Sequence, residues 1–564
     1  MKIVIFAGGS GSEQLQRGLF ECFGKDVNYS IITNTYDNGK STGTVRRVCD
    51  SKILGPSDLR KNQLLRHSLM YGTDSPLYKF LKERVTLSPE EMKEYISLKL
   101  KNIGLDSLFK EELQKGLSSY FSSTSAYNVD YIDFSVANIL YAGVAKNHNY
   151  SLKEAGLVFA DILGIPRDAV CLNSDENLYL TAITESRHEI LDEGDIVCWN
   201  NPTDKIIDIN LLTKDGIKTI PTLDRDTEKV IKEADIIIYS SGTQWSSLIP
   251  TYITDDLYSL LQESKAKQYL IMNLTEDGDA IGVGSNELLN IIDNYICLEN
   301  VTVIADSKYM TPSEDIASEI IILDLTSYDF AITKHNGKKL VKAIFNDYYK
   351  KYLNNNSIAF DYDDTLVARG GVLKKISDHN VSSLLNIFSK FDVSICTGNC
   401  INAIVPFNNY SNISIYADGG INLYYNNTIT CLDESKIFTD EEVKTIMNIL
   451  IECDIPISKV QNRGNAIIAI KPIENEYRKI IAKLIGLKLP EYEVKINGRS
   501  TVEINKHGMN KSIFLKTIAG RLTFIGDEPE GNDAVLRNNP KVDFLEVKNV
   551  NETNMFLRVL EWQI

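Results

Sequence analysis

Short apolar runs, each stopped by turn residues, alternate with helical periods along this chain, and the alternation starts twice. Such a series implies parallel α/β layers. The first series is KIVIF, YSIIT, DIIIYS, QYLIMN and VTVIA, with helical periods such as DTEKVIKEA between them. The second is SIAF, VSIC, ISIYA and RLTFIGD. Between the two lies KHNGKKLVKAIFNDYYKKYLNNN, which is basic, then helical, then asparagine-rich. The boundary is therefore placed within 335–355. That gives a first domain over 1–334, a linker over 335–355 and a second domain over 356–564. A chain of 564 residues exceeds what one core usually supports, in keeping with two domains.

Two insertions interrupt the alternation. A mostly helical one runs from Pro76 to Tyr120, where Ser88 is placed as an N-cap and Pro89 at the first helical position. The other separates CTGNC from NKHGMNKS by more than a hundred residues. That is too long for a loop, and it contains strands (NAIIAIK, STVEIN) and helices (DEEVKTIMNILIEC, NEYRKIIAKLIG) of its own. It reads as an α/β cap over approximately 432–500.

The net charge of −16 argues against a protein that coats nucleic acid, while a local basic cleft can still hold small phosphates. No apolar run reaches membrane-spanning length, and MKIVIFAGG reads as a first buried strand rather than a signal peptide. The nine cysteines form no C-x-x-C pair and no zinc-finger spacing, so free thiols in a cytoplasmic protein are expected. There are six histidines and no H-E-x-x-H.

In the second half, FDYDDTL places Asp361 and Asp363 at the carboxyl end of a buried strand, where open α/β sheets keep their sites. Two carboxylates at that spacing can share a divalent cation, one attacking phosphorus and the other handling a proton. SICTGN then supplies Thr397, GMNKS supplies Lys511, and FIGDEPEGND supplies Asp527 and Asp533. These elements, in this order, resemble the haloacid dehalogenase (HAD) superfamily of phosphatases. The resemblance covers about residues 356 to 564. It implies Asp361 as the nucleophile and Asp363 as general acid/base, with Thr397 and Lys511 holding phosphoryl oxygens. It further implies a Mg²⁺ site made by Asp361, the backbone carbonyl of Asp363, and Asp527, with Asp533 as outer support. The inserted segment resembles the cap of sugar-phosphate and mannosyl-phosphoglycerate phosphatases. One departure is TGN where many relatives have TGR, so Asn399 lacks a positive charge that some of them use.

In the first half, FAGGSGS follows the first strand and leads into a helix, so Gly8, Gly9, Ser10 and Gly11 can bring backbone amides to a phosphate. The second strand leads into TYDNGKSTGTVRR and then LGPSDLRKN, and later stretches include FSVANILYAG, EILDEGDIV, IIIYSSGTQWSSLIP and IMNLTEDGDAIGVGSNE. This series resembles the CofD/YvcK family over residues 1 to about 330. The implied fold is a Rossmann-like CofD-type domain followed by a HAD Rossmannoid core with an inserted α/β cap. CofD-type enzymes bind a nucleoside diphosphate conjugate with Mg²⁺; an acceptor hydroxyl attacks the distal phosphorus and a nucleoside monophosphate leaves. Such a loop needs amides and cations for phosphates, and a carboxylate for the metal or the attacking hydroxyl. Asp37 and Asp58 are the candidates for the carboxylate. Lys40, Ser41, Thr42, Arg46 and Arg60 are placed facing phosphates, Ser240, Ser241, Gly242 and Thr243 form a second phosphate-facing loop, and Asn273 lines the cleft. Departures from the family pattern are Asn38 for a second aspartate, Lys40 and Ser57 for glycines, and Ala137 in SVAN. Arg47 reads as a surface residue, and Trp245 as core or cleft wall.

The reading is a bifunctional enzyme. One domain transfers a phospho-linked group from a nucleoside diphosphate conjugate, and the other hydrolyses a phosphomonoester, which a tethered phosphatase meets at high effective concentration. The alternative is a nucleotide-sugar sensor, as in the YvcK branch, that regulates the attached phosphatase. No nucleic-acid or membrane partner is expected. A homodimer through the first domain is implied by the resemblance alone.

Overall fold

The computed structural model describes residues 1–310, 319–326, 334–368, 378–404, 413–452, 457–497 and 500–564. The chain divides into two compact units, Met1–Ile344 and Phe345–Ile564. The stretch read from sequence as a linker holds the helix Gly337–Tyr348, and the division falls inside it. Its apolar residues Leu340, Val341, Ile344 and Phe345 are buried.

The first unit is built on a parallel sheet. Its strands in chain order are β1 (Ile3–Phe6), β2 (Tyr29–Thr33), β3 (Val170–Leu172), β4 (Ile236–Tyr239), β5 (Lys267–Ile271), β6 (Val301–Asp306) and β7 (Ile320–Leu323). In space they run β7-β6-β5-β4-β1-β2-β3, every neighbour parallel. The isoleucine-rich β1, β2 and β4 are buried along their length, as strands covered on both faces must be. The chain leaves β1 towards β2 and later returns to its other side as β4. Order thus reverses at β1, opening a crevice at the carboxyl ends of β1 and β4. Four helices of this unit carry or brace its polar loops: α1 (Glu13–Phe23), α2 (Lys40–Val48), α3 (Ser57–Tyr71) and α4 (Val136–Asn147). The insertion after Pro76 is helical, with the antiparallel pair Arg84–Leu87 and Tyr131–Ser135 flanking it. Ser88 caps its helix as expected and forms a full capping box with Glu91.

The second unit repeats the logic. Its main sheet contains β8 (Ser357–Phe360), β9 (Asp392–Cys396), β10 (Ser414–Ala417), β11 (Asn422–Tyr425) and β12 (Thr428–Cys431). After the insertion come two further strands, Leu522–Gly526 and Val542–Glu546. The order is β12-β11-β10-β9-β8, then Leu522–Gly526, then Val542–Glu546. Only β10-β11 and β11-β12 pair antiparallel. Strand β8 is central and again lies at a reversal of strand order.

The insertion folds as an antiparallel sheet of Ile457–Arg463, Ile467–Pro472, Thr501–Asn505 and Glu493–Asn497, in that spatial order. The helices Asp440–Glu452 and Arg478–Lys488 cover one face of it. Ile446, Leu450, Ile481 and Ile485 from the helices meet Ile468, Ile470, Val502 and Ile504 from the strands, so this segment has its own core. Cys453, the last residue of the first of these helices as read from sequence, lies outside the described residues, as do 498–499. The chain is thus a Rossmann-like α/β unit followed by a Rossmannoid core with an inserted α/β cap. Among the described residues no helix is long and apolar enough to cross a membrane.

Candidate functional site

In the second unit three of the chemical groups are delivered by different strand ends. Asp361 directly follows β8, Thr397 follows β9, and Asp527 follows the strand Leu522–Gly526. Lys511 opens a short 3₁₀ helix capped by Asn510, whose Oδ1 accepts from Ser512 N. Lys511 is 5% exposed and Asp361 6% exposed, and Asp533 is fully buried. The Lys511 Nζ donates to Asp361 Oδ1 at 2.8 Å and to Asp533 Oδ1 at 2.6 Å. Burial works against both charges. It pushes the Asp361 carboxyl up to about 8, with Lys511 opposing and Asp533 adding to the rise. Burial also pulls Lys511 down, yet Asp361 and Asp533 hold its ammonium well above the ordinary lysine range. A lysine held between two carboxylates keeps its charge, and that charge in turn favours the ionised Asp361.

Oxygens of Asp361, Asp527 and Asp533 lie within 4.8 Å of one another. Among the described residues Asp533 Oδ2 is buried with no hydrogen-bond donor. Converging hard oxygen donors with an unmet acceptor fit a divalent cation of the Mg²⁺ type. The sequence reading placed Asp533 as outer support; the structure brings its carboxylate as close as those of Asp361 and Asp527. Asp363 accepts from Asn399 Nδ2 at 2.7 Å, and Thr397 Oγ1 accepts from Asn399 N at 3.1 Å. Asn399 therefore replaces the missing positive charge with a neutral donor that orients the second aspartate.

A cavity of about 690 Å³ opens beside Lys511 and Gly398 and is walled by Glu503, Asn505 and Met509. Arg463 of the cap donates to the Gly398 carbonyl and to Glu503 Oε1, both at 3.1 Å, so the cap is pinned to the Thr397 loop. Asn505 is 4% exposed and its Oδ1 has no partner among the described residues. Sequence reasoning missed Arg463, Glu503 and Asn505. Glu503 and Asn505 alternate along STVEIN, and that alternation on a strand before Lys511 was the available signal.

In the first unit the loops after β1 and β4 meet at the crevice. A methyl group on Gly9 would come within 2.3 Å of Asp58 Oδ1, and one on Gly11 within 2.1 Å of the Ser241 carbonyl. Gly11 therefore admits no side chain, because the clash is with backbone, whereas at Gly9 the Asp58 and Lys61 side chains would have to move. Asn62 of α3 donates to the carbonyls of Gly8 and Asp58 at 3.0 Å each, holding the first loop on the start of that helix. Ser10 is exposed at the loop's tip. Ser241 Oγ donates to the Gly11 carbonyl at 3.3 Å, and Thr243 Oγ1 to Ser247 Oγ at 2.9 Å.

Asn273 grips Gly242 at both ends, accepting its N–H at 2.8 Å and donating to its carbonyl at 2.9 Å. It also walls a cavity of about 270 Å³, but its amide is a brace for the loop rather than a ligand contact. Trp245 is core.

The loop after β2 departs from its sequence reading at Arg46, Ser41 and Thr42. Arg46 is 1% exposed and turned inward. It donates to the carbonyls of Tyr36 and Asp37 at 3.3 Å, to Leu178 O at 2.8 Å and to Asn177 Oδ1 at 3.0 Å, and stacks 4.5 Å above Tyr179. It shapes the loop and does not face phosphate. The reason is helical geometry: Thr42, Val45 and Arg46 share the buried face of α2. Ser41 and Thr42 are likewise buried, their hydroxyls accepting from Asn138 Nδ2 at 3.1 and 3.4 Å. Lys40 is exposed at the head of α2, and Arg47 is exposed as read from sequence.

Asp37 accepts from Gly39 N at 2.8 Å. Asp58 is nearly buried and takes Lys61 at 3.4 Å. Burial raises its carboxyl; Lys61 opposes this and Asp37 adds to it. Arg60 is 7% exposed and senses both Asp58 and Asp37. A third carboxylate, Glu193, joins them, at the head of α5 (Glu193–Val197). It accepts from Asn38 N at 3.3 Å, and burial together with Asp37 pushes it up to about 8. In sequence it sits in EILDEGDIV, one of the stretches in the family-like series, from which sequence reasoning singles out no site residue.

A crevice at a strand-order reversal, floored by glycine loops and lined by carboxylates and a buried arginine, lies where open α/β sheets keep their ligand sites. Residues 3–343 match the 2-phospho-L-lactate transferase CofD family, and the chain belongs to that family. A putative gluconeogenesis factor of Thermotoga maritima is 23% identical over 317 residues, which are 56% of this chain and 81% of that protein. A solved upf0052-family protein of Bacillus halodurans is 18% identical, with a TM-score of 0.45, over 61% of this chain and 98% of its own. A solved trehalose-6-phosphate phosphatase related protein is 18% identical, with a TM-score of 0.30, over 37% of this chain and 97% of its own.

Proposed function

We propose that the chain carries two activities on small phosphorylated molecules, with phosphomonoester hydrolysis in the second unit and phospho-group transfer in the first. The observation that carries the phosphatase is Lys511 bridging Asp361 and Asp533 beside Asp527, at the mouth of a cavity. In the reaction an Asp361 oxygen attacks the substrate phosphorus and the ester P–O bond breaks. Asp363 gives its proton to the leaving oxygen. Water then attacks the aspartyl-phosphate, losing its proton to Asp363, and inorganic phosphate leaves. Lys511 and Thr397 hold the phosphoryl oxygens. Asp361, Asp527 and the Asp363 carbonyl would hold Mg²⁺, with Asp533 beside them; when bound, the ion offsets the charge of the transferring group.

In the first unit the donor is a nucleoside diphosphate conjugate. An acceptor hydroxyl attacks the phosphorus distal to the nucleoside, the P–O–P bridge breaks and a nucleoside monophosphate leaves. The hydroxyl proton passes to a carboxylate of the Asp37 and Asp58 pair, while Arg60 and the Gly8–Gly11 and Ser241–Thr243 loops take phosphate oxygens. Arg60 supports this reading, as a buried guanidinium two residues after Asp58 in α3 that feels the charge of both aspartates. The test is nucleoside monophosphate release from a panel of nucleoside diphosphate conjugates. Release that is lost in Asp37→Ala is expected; no release with any donor sinks the transfer.

A second reading is favoured by Asn38, an amide where the family loop has an acid, and by a relative named as a gluconeogenesis factor. The first unit would then bind a nucleotide sugar without turnover and regulate the phosphatase. Retained, unconverted nucleotide in the purified protein separates the two. Both readings place the protein in the cytoplasm, with neither nucleic acid nor membrane as partner.

A further inference from the structure

The cap helix Arg478–Lys488 carries two apolar rows, and the cap core uses one of them. Ile481 and Ile485 pack with Ile446, Leu450, Ile468 and Ile504. The other row is Tyr477, Ile480, Leu484 and Leu487, at steps of three, four and three residues, the spacing of a helix–helix seam. Tyr477 is 38% exposed, Ile480 63% and Leu487 72%, while Leu484 is half-buried between them. Ile473, just before the helix, is also exposed. Single exposed apolar residues are ordinary on a protein surface, but a continuous row of them marks a docking face.

The charges beside the row select its occupant. The helix holds Arg478, Lys479, Lys483 and Lys488 and no acidic residue. Among the described residues Lys479, Lys483 and Lys488 have no carboxylate partner. The helix Asp440–Glu452, which shares the same face of the cap sheet and the same core, has the reverse character. It holds Asp440, Glu441, Glu442 and Glu452 against Lys444 alone. Glu442 is paired with Lys506 at 2.9 Å, whereas Asp440, Glu441 and Glu452 are exposed. Ile451 on this helix is exposed as well, at 74%.

An anionic membrane would attract the basic helix and repel its acidic neighbour. A surface with the opposite order of charge matches both, and the chain itself carries that surface. A two-fold arrangement that exchanges the two helices lays the basic helix of one copy on the acidic helix of the other, and does so twice. The two-fold arrangement that keeps them in place stacks like charge on like and is disfavoured.

We infer that the chain pairs with a second copy of itself through the cap, the row Tyr477, Ile480, Leu484 and Leu487 of each copy seating on the helix Asp440–Glu452 of the other. The catalytic cavity is walled by Ile467, Glu503 and Asn505, which alternate with the core-facing Ile468, Val502 and Ile504 and so point to the other face of the cap sheet. Pairing therefore leaves that cavity open and rests on neither proposed activity.

The test is the assembly state of the full chain by sedimentation velocity over a range of protein concentration, with circular dichroism and thermal melting as checks on folding. An association step is expected, and it should weaken as salt rises. Ile480→Glu together with Leu487→Glu should abolish the step. Lys479→Glu with Lys483→Glu should weaken it by at least about 10-fold, and Glu441→Lys with Glu452→Lys should do the same. The four charge substitutions in one chain should restore the step, which only a contact between these two helices can explain. The inference falls if the chain stays monomeric up to about 100 µM. It falls if the Ile480 and Leu487 variant assembles unchanged, since pairing then runs through another surface, or if the four charge substitutions together fail to restore the step. A monomer that co-sediments with phosphatidylcholine–phosphatidylserine vesicles, and loses that binding in the Ile480 and Leu487 variant, would assign the row to a membrane and overturn the inference.

Discussion

The two units carry their charged groups in opposite ways. In the second, Lys511 sits directly between Asp361 and Asp533, so two of the three clustered carboxylates share one buried ammonium. In the first, Asp37, Asp58 and Glu193 are drawn together, while the Nη donors of Arg46 are turned to carbonyls and the Nε of both Arg46 and Arg60 has no acceptor among the described residues. A cluster bridged by its own ammonium is preformed for one phosphoryl group. One without such a bridge is completed by what it binds, so its chemistry depends on the ligand. That difference makes the second site readable from protein atoms alone, and leaves the first open between transfer and sensing.

The comparison can be broken most sharply at Asp361. Asp361→Asn removes the attacking oxygen and should lower hydrolysis of p-nitrophenyl phosphate by about 10³-fold or more, with an unchanged circular dichroism spectrum. Substantial residual turnover would remove the nucleophile assignment. Chelation with EDTA should abolish the same activity, and Mg²⁺ should restore it; hydrolysis that persists in EDTA would show that the acidic cluster of Asp361, Asp527 and Asp533 acts without metal. In the first unit, Asp37→Ala should cut nucleoside monophosphate release by about 10²-fold or more and spare the phosphatase. A parallel fall in both would mean that the two units are functionally coupled.

Smaller effects sharpen the picture. Asn399→Ala deletes the donor on Asp363 and should slow hydrolysis by about 10-fold, a single hydrogen bond to a charged group. Arg46→Leu tests the corrected role of that arginine. If it holds the loop's carbonyls, the variant loses about 2–4 kcal/mol in urea unfolding, because four acceptors, two of them fully buried, lose their donor. A phosphate-facing Arg46 would instead leave stability intact and raise the apparent Kd for the nucleotide conjugate.

Much of the second site was legible in sequence because Asp361, Thr397 and Asp527 each stand at the end of their own strand. A buried parallel strand ends where its apolar run ends, so the residue after Phe360, Cys396 or Gly526 is forced to the same edge of the sheet. The first site was less legible because its loop runs straight into α2. There the spacing of 3.6 residues per turn sends Ser41, Thr42 and Arg46 inward and leaves Lys40 outside. The inward spacing of Thr42, Val45 and Arg46 was available as a signal, but the glycines and hydroxyls of the motif pointed the other way.

The sequence by itself determined the strands, the two successive α/β layers, the inserted cap with its own apolar periodicity, and the aspartates at the carboxyl ends of β8 and its neighbour. These are local properties, set by runs of side chains and the residues that stop them. Only the tertiary structure decided that Glu193 reaches Asp37, that Asn399 orients Asp363, that Arg463 pins the cap to Gly398, and that Asn273 braces a loop. Each of those contacts joins residues far apart in the chain. Backbone path and burial set them, and neither is encoded in the spacing of any one motif.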